Sequence, residues 1–358
     1  MMRQEHLRDL LGRFPRLRLA VVGDFFLDQY LVIDPALAET SLETGRTCHQ
    51  VVARRCSPGA AGTVVANLAA LGAGAIRLVG AIGDDGEGYV LRRGLQALGT
   101  CLDDLLLLPE WFTPTYTKPM RRDPAGECEL ERLDHKNRAP LPAAVEERLI
   151  AALRRLAPQV DAVIIADQVS ERNCGVITDR VRAVLADLAA AHPTALFFAD
   201  SRERIGEFRG VVTKPNRAEL ARALGSPAGE ALDSAEAGTL GQQLAARTGQ
   251  PVIVTLGAEG SLVCSATETC PIPAVPVSGP VDPVGAGDST TAGIVCARCA
   301  GADWPAAAFF GNLVASITVQ KLGMTGTASP QELLEQWGRI PERWDLPPCA
   351  GLGGVKPG

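Results

Sequence analysis

Short apolar runs alternate along this chain with longer segments of helical character. Leu17-Arg18-Leu19-Ala20-Val21-Val22-Gly23 reads as a buried strand ended by glycine, and Ile76–Ile82 as a second. Further strands are expected at Ala162–Ala166, Ala195–Ala199, Gly210–Thr213 and Val252–Thr255. Between them, helical patterns cover 62–72, 87–98, 142–157, 174–191 and 236–248. Strands that are apolar throughout and separated by helices imply a mostly parallel sheet with helices on both faces. Two segments break this rhythm. Residues 29–56 and 112–134 hold β-branched and polar residues without a helical period. In the second, Thr113–Lys118 alternates, Asp123-Pro124-Ala125-Gly126 turns, and Glu127–Leu133 resumes. That is a hairpin pattern. The two excursions predict a small β lid over an α/β core. The core domain is expected over 1–338, with 339–358, rich in Gly and Pro, as a loose tail.

Composition narrows the class. Hydrophobic residues are 46% of 358 but aromatics only 4%, so Ala, Val and Leu must build the core. The net charge of −6 is spread over interspersed acids and bases, with no basic run to suggest nucleic acid. No apolar stretch nears 18 uninterrupted residues, and the first residues lack a signal-peptide layout, so a cytoplasmic protein is expected, with no membrane partner. The ten scattered cysteines then read mostly as free thiols. Cys296 and Cys299 form a CxxC inside a helical run with no second pair at zinc spacing, which favours packing over metal. The four histidines have no sequence partners that suggest catalysis.

The chemistry concentrates in Val281-Asp282-Pro283-Val284-Gly285-Ala286-Gly287-Asp288, which runs into a small, apolar helix. Gly285, Ala286 and Gly287 leave backbone N–H groups bare at a helix start, where an anion can sit. Asp288 places a carboxylate beside that anion. Like charges repel, so the acid makes sense as a base that takes a proton from a hydroxyl attacking a phosphoryl group. The alternative is an ordinary helix start with Asp in its first turn. Asn216 and Glu219 have capping-box spacing, and also suit a carboxylate that holds magnesium through water. Thr255 and Gly257 lie at a strand's C-terminal end, where open α/β sheets bind ligands; a turn into a hairpin over 261–270 is the alternative. Asp28, just past the first strand, could grip two hydroxyls of a ligand, and Asp24 is a weaker version of the same idea. Lys118, Arg121 and Arg132 lie on the lid, where a substrate phosphate or plain solvent would meet them.

These motifs, in this order, resemble the ribokinase-like (PfkB) carbohydrate kinases. Asp282–Asp288 matches that family's C-terminal signature, Pro215–Glu219 its Asn-x-x-Glu motif, and Thr255–Gly260 its nucleotide loop. Asn312 and Lys321-Leu322-Gly323 fit the region beside the adenine, and Gly23–Asp28 the first strand, whose acid binds sugar hydroxyls. The resemblance implies a ribokinase-like three-layer sandwich, an ATP-dependent sugar kinase with Asp288 as base, and Mg2+ at Glu219. It also implies a nucleotide held by Asn216, Glu219, Thr255, Gly257, Gly260 and Asn312. Sugar contacts fall to Asp24, Asp28, Gly59, Thr63, Lys118 and Arg132, and Asp282 could bind a monovalent cation such as K+. Within the family, Gly23–Tyr30, Thr117-Lys118, Glu131–Asp134 and Lys321–Gly323 with Ser329-Pro330 are most similar to heptose 7-phosphate kinases. The chain departs at Gly59-Ala60-Ala61-Gly62-Thr63, where Thr63 replaces a sugar-binding Asn and Ala60 a second Gly. It departs again at Asp200-Ser201-Arg202, where Asp-Pro-Lys is expected, and at Pro283, where Thr is usual. A kinase of another sugar or nucleoside, and a non-catalytic sugar- or nucleotide-binding regulator, therefore stay open. A dinucleotide oxidoreductase does not, because no Gly-x-Gly-x-x-Gly follows Gly23. Exposed lid edges predict a homodimer through the lid.

Overall fold

The computed structural model describes residues 4–340 except Ala125, Ala228 and Met324; most of the tail expected from 339 onward falls outside the described residues. In chain order the strands are β1 (Arg18–Gly23), β2 (Phe25–Ile33), β3 (Glu39–Thr40), β4 (Thr47–Cys48), β5 (Val51–Ala60), β6 (Ala75–Gly83), β7 (Cys101–Leu108) and β8 (Thr115–Asp123). They continue as β9 (Gly126–Glu129), β10 (Leu133–His135), β11 (Ala162–Asp167), β12 (Leu196–Ser201), β13 (Val212–Thr213), β14 (Val252–Thr255), β15 (Ser261–Cys264) and β16 (Thr269–Ile272). The α-helices are α1 (Gln4–Arg13), α2 (Ala61–Ala70), α3 (Gly86–Ala97), α4 (Ala143–Leu156) and α5 (Asp179–Ala191). After them come α6 (Arg217–Leu224), α7 (Ser234–Thr248), α8 (Ala286–Cys299), α9 (Trp304–Thr318) and α10 (Pro330–Gly338).

Nine strands form the central sheet in the order β16-β15-β14-β13-β12-β11-β1-β6-β7. All neighbours from β14 to β7 are parallel, and β15 and β16 add an antiparallel edge. Side-chain alternation along each strand explains why both faces carry helices. On β1, Leu19 and Val21 enter the core shared with α2, α8 and α9, whereas Ala20 and Val22 enter the core shared with α4 and α5. This is the three-layer α/β sandwich expected from the sequence.

The chain leaves the core sheet abruptly. Only Asp24 separates β1 from β2, which begins the lid four residues earlier than expected. The lid sheet has the order β10-β8-β2-β5, with β9 paired to β8. The helix expected from 174 begins instead at Asp179, because the Thr178 hydroxyl accepts the Val181 N–H and caps it there. No helix among the described residues is long and apolar enough to cross a membrane.

Where β5 returns from the lid into α2, Ala60 sits at φ 53°, ψ −119°. An L-residue rarely adopts that geometry, whereas glycine, with no Cβ, enters it freely. Ala60→Gly is expected to raise unfolding stability by about 1–2 kcal/mol, net of the extra backbone freedom that glycine gives the unfolded chain. A denaturant midpoint that falls instead would refute strain at this junction.

Candidate active site

The parallel strands end on one side of the sheet, and their C-terminal ends bring several polar groups together. Asp200 lies at the end of β12, Lys214 follows β13, and Thr255 ends β14. This is the rim where open α/β sheets bind ligands. Helix α8 begins opposite them, with Gly285 as its N-cap in the left-handed region at φ 78°. A Cβ at Gly285 would also lie 2.4 Å from Thr325 Cγ2, so glycine is required twice over. The first helical N–H, of Ala286, donates to Pro283 O at 3.0 Å. The donors free of intrahelical partners at this end are therefore those of Gly287 and Asp288, one residue later than the sequence motif suggests.

Asp288 is half-buried and its carboxyl is pushed up to about 8. Burial is the main cause and the nearby Asp200 carboxylate the second; Asp28 adds to the rise, while Lys214 and Arg202 oppose it. Asp200 is 6% exposed and pairs with Lys214 Nζ at 2.9 Å, and Thr291 of α8 donates to it at 3.2 Å. Lys214 is itself 3% exposed. Burial alone would lower its pKa, but Asp200, Glu219 and Asp288 together raise it. It also reaches the helix start, since a Cβ at Gly287 would lie 3.5 Å from its Nζ. Neither Lys214 nor Asp200 was singled out as a site residue from the sequence. The available signal was a lysine directly before Pro215-Asn216 at a strand end.

Asn216 and Glu219 form a reciprocal capping box at the start of α6. Asn216 Oδ1 accepts the Glu219 N–H at 2.9 Å, and Glu219 Oε2 accepts the Asn216 N–H at 2.8 Å. Glu219 is nonetheless pushed up to about 7, by burial first and Asp200 second, against the pull of Lys214. Its second oxygen is free of this box. Thr255 lies beside Asn216 as a parallel bridge partner. The loop after Thr255 is pinned by Arg217, which donates to Leu256 O at 3.0 Å and pairs with Glu259 at 2.6 Å. Gly257 and Gly260 take φ of 63° and 96° there. Asn312 is 9% exposed, and its amide is engaged by Ser261 and by Pro273 O at 3.0 Å, so it braces the β15–β16 hairpin. Lys321 pairs with Glu332 at 2.6 Å. Asp282 Oδ1 accepts the Val284 N–H at 3.0 Å in the turn before α8.

The two acids of the first strand separate clearly. Asp24 is 4% exposed and accepts backbone N–H groups from Gln168, Val169 and Val176 at 2.7–3.0 Å. It ties β1 to the segment after β11, which makes it a strut of the fold. Asp28 is 9% exposed and, among the described residues, accepts no such bonds. Its carboxyl is pushed up to about 6 by burial, against Lys118 and Arg132. Gly59 makes room for it: a Cβ there would lie 2.6 Å from Asp28 Oδ1. Thr63, 3% exposed, sits in the first turn of α2 beside Gly285, where a Cβ would meet its methyl at 3.4 Å. The lid closes onto these groups. Lys118 Nζ lies 5.4 Å from the ring of Tyr30 on β2, and Arg202 Nη1 donates to Tyr116 OH at 3.4 Å.

The fold and the family model that matches it define a phosphotransferase that acts on a sugar hydroxyl. The chain is a member of the pfkB family of carbohydrate kinases, whose family model matches residues 26–332. Among curated relatives it is 28% identical over 348 residues to the bifunctional protein HldE of Gluconobacter oxydans (strain 621H), covering 91% of this chain and 69% of that protein. It is 30% identical over 322 residues to the bifunctional protein HldE of Rhodopseudomonas palustris (strain BisB18), covering 89% and 63%. The chain thus spans about two thirds of the length of these relatives. Among solved structures, Arabidopsis thaliana ribokinase complexed with ribose and ATP superposes with a TM-score of 0.66 at 17% identity, covering 89% and 98% of the two chains. Phosphofructokinase-2 of Escherichia coli in complex with fructose-6-phosphate gives 0.65 at 16%, covering 90% and 98%. At such identities the likeness shows the ribokinase-like fold.

Proposed function

We propose that this kinase transfers the γ-phosphate of ATP to a hydroxyl of a sugar that already carries a phosphate, a heptose 7-phosphate being the leading candidate. The observation that carries the reading is the placement of Asp288. Its carboxyl lies at the free donors of α8, within electrostatic reach of Asp28 on the lid side and of Lys214 on the core side. In this reading Asp28 grips sugar hydroxyls and holds one of them against Asp288, which takes its proton as the oxygen attacks phosphorus. The N–H groups of Gly287 and Asp288, with Lys214, face the charge that develops on the transferred group. Thr255 and the loop through Gly257 and Gly260 line the nucleotide side. Among the described residues no three His, Cys, Asp or Glu side chains converge on a direct metal cage. The free oxygen of Glu219 suits a magnesium ion that keeps its waters, and that ion would neutralise charge on the nucleotide phosphates. Asp282 and the carbonyls near Val284 would serve a potassium ion.

ADP release measured across heptose 7-phosphate, fructose phosphates, ribose, fructose and nucleosides, with Mg2+ and K+ present, tests this. A strong response to a phosphorylated acceptor is expected, and a response confined to unphosphorylated ones would overturn it. Thr63 motivates a second reading, in which the acceptor is another sugar or a nucleoside. Thr offers one hydroxyl where an amide would give a paired donor and acceptor. Thr63→Asn is expected to change kcat/KM unequally across that panel, by ~10-fold for the acceptors most affected. A uniform change would remove Thr63 from sugar selection.

A further inference from the structure

Four cationic side chains gather where the lid meets the core. Tyr116 of β8, paired in register with Asp28 of β2, is their hub. Arg132 stacks 4.5 Å from the centre of its ring, Lys136 lies 5.7 Å from it, and Arg202 reaches its hydroxyl from the end of β12. Lys118 lies two residues along the same strand. The side chains of Lys118 and Lys136 are only 14% and 15% exposed, which is unusual for lysines merely solvated on a lid. Three of the four have carboxylate partners. Lys118 lies 3.5 Å from Glu129, and Arg132 and Lys136 share Asp134 at 2.7 and 4.0 Å. Arg202 makes no ion pair with a carboxylate among the described residues; the Tyr116 hydroxyl is its side-chain partner. Glu129 and Asp134 lie against Lys118, Arg132 and Lys136, and Asp28 faces Lys118 and Arg132, whereas Arg202 at the seam meets, among the described residues, only the more distant Asp288 carboxylate. Arg202 also acts on Asp288, which places the seam beside the acceptor end of the site.

We propose that Arg202, with the Tyr116 hydroxyl and the lid cations Arg132 and Lys136, forms the subsite for the phosphate that the acceptor sugar brings with it. This rests on the reading that the acceptor is a sugar phosphate. A guanidinium without a carboxylate partner offers a planar fork that matches phosphate oxygens, and a neutral hydroxyl beside it adds a donor without opposing charge. The placement also gives the subsite a second task. A phosphate bound between Arg202 of the core and Tyr116 of the lid would join the two parts across the mouth of the site.

The test uses the full chain with Arg202→Met and Tyr116→Phe, the latter removing a single oxygen. On a phosphorylated acceptor, Arg202→Met is expected to raise KM ~10- to 100-fold with kcat changed less than ~3-fold. The kcat/KM ratio of phosphorylated to unphosphorylated acceptor should fall by a similar factor. Tyr116→Phe should move the same ratio in the same direction by ~3- to 10-fold. A loss of kcat that is equal for every acceptor, and equal for ATP hydrolysis without acceptor, would overturn the subsite and assign Arg202 to the transferred phosphoryl group. Unchanged kinetics in a wild type that does use sugar phosphates would overturn the subsite while leaving the proposed function intact. A wild type that accepts only unphosphorylated sugars would overturn both.

Discussion

Asp288→Asn is expected to lower turnover by about 10²- to 10⁴-fold while nucleotide binding is retained. The amide keeps the shape of the carboxylate but cannot take the acceptor's proton. The wild-type pH profile should carry the same signature. With the Asp288 carboxyl held at about 8 in the free protein, the competent deprotonated form accumulates as pH rises, so kcat/KM should climb through that region. Stability should move in the opposite direction. An acid whose folded-state pKa lies above its ordinary value of 3.8 binds more protons folded than unfolded across that interval. Folding stability therefore declines as pH rises from about 4 to about 8. Asn carries no such penalty. The melting temperature of Asp288→Asn should exceed that of the wild type, by a margin that widens over this window and then levels off. An unchanged turnover would refute the base. A margin that shrinks with pH would refute the strained carboxyl.

Lys214→Met is the second large effect. Lys214 is a buried cation facing Asp200, Glu219 and Asp288. Removing it strands the Asp200 carboxylate in the interior, at a cost of about 3–5 kcal/mol. It also withdraws the positive charge that holds Asp288 and Glu219 down, so the activity profile of any folded remainder should shift to higher pH. The double variant Asp200→Asn/Lys214→Met is the control. It removes both members of the 2.9 Å pair, so its unfolding free energy should recover part of the loss, a departure from additivity that a double-mutant cycle measures. Strict additivity would mean that the pair is energetically idle.

The sequence exposed the core sheet well because its strands are short, apolar and ended by small residues. Leu17–Gly23, Ile76–Ile82 and Ala162–Ala166 each fall within one or two residues of an observed strand. The start of α8 just before Asp288 was equally legible, since Gly285 and Gly287 announce bare backbone. The start of the lid was not. Phe25, Phe26 and Leu27 are all buried, so β2 shows no alternation at its beginning. Strand β7 was missed because Leu105–Leu108 is a uniform apolar run, and α1 because its Leu7, Leu10 and Leu11 make only a short stripe. The charged cluster at the base of the site was hidden for a different reason. Asp200, Lys214, Glu219 and Asp288 come from separate strand ends and helix starts, and only the parallel sheet brings them together. Asp24 and Asp28 look alike in sequence; three backbone N–H groups make the first a strut and leave the second open.

The placing of Asp288 is set partly from outside the site. Helices α8 and α9 touch through glycine: a Cβ at Gly293 would lie 2.9 Å from Val314, and one at Gly311 would lie 2.6 Å from Ile294. Neither helix can therefore shift sideways without opening the other's packing. Gly293 stands five residues beyond Asp288 on the same rigid rod. At about 1.5 Å per residue, that is a short lever, and the contact acts as its fulcrum. Errors of about 1 Å at a reacting group can reduce rate 10²-fold. The alignment tolerance of this kinase is thus held in the backbone-to-backbone spacing of two helices, at positions with no side chain and no chemistry of their own.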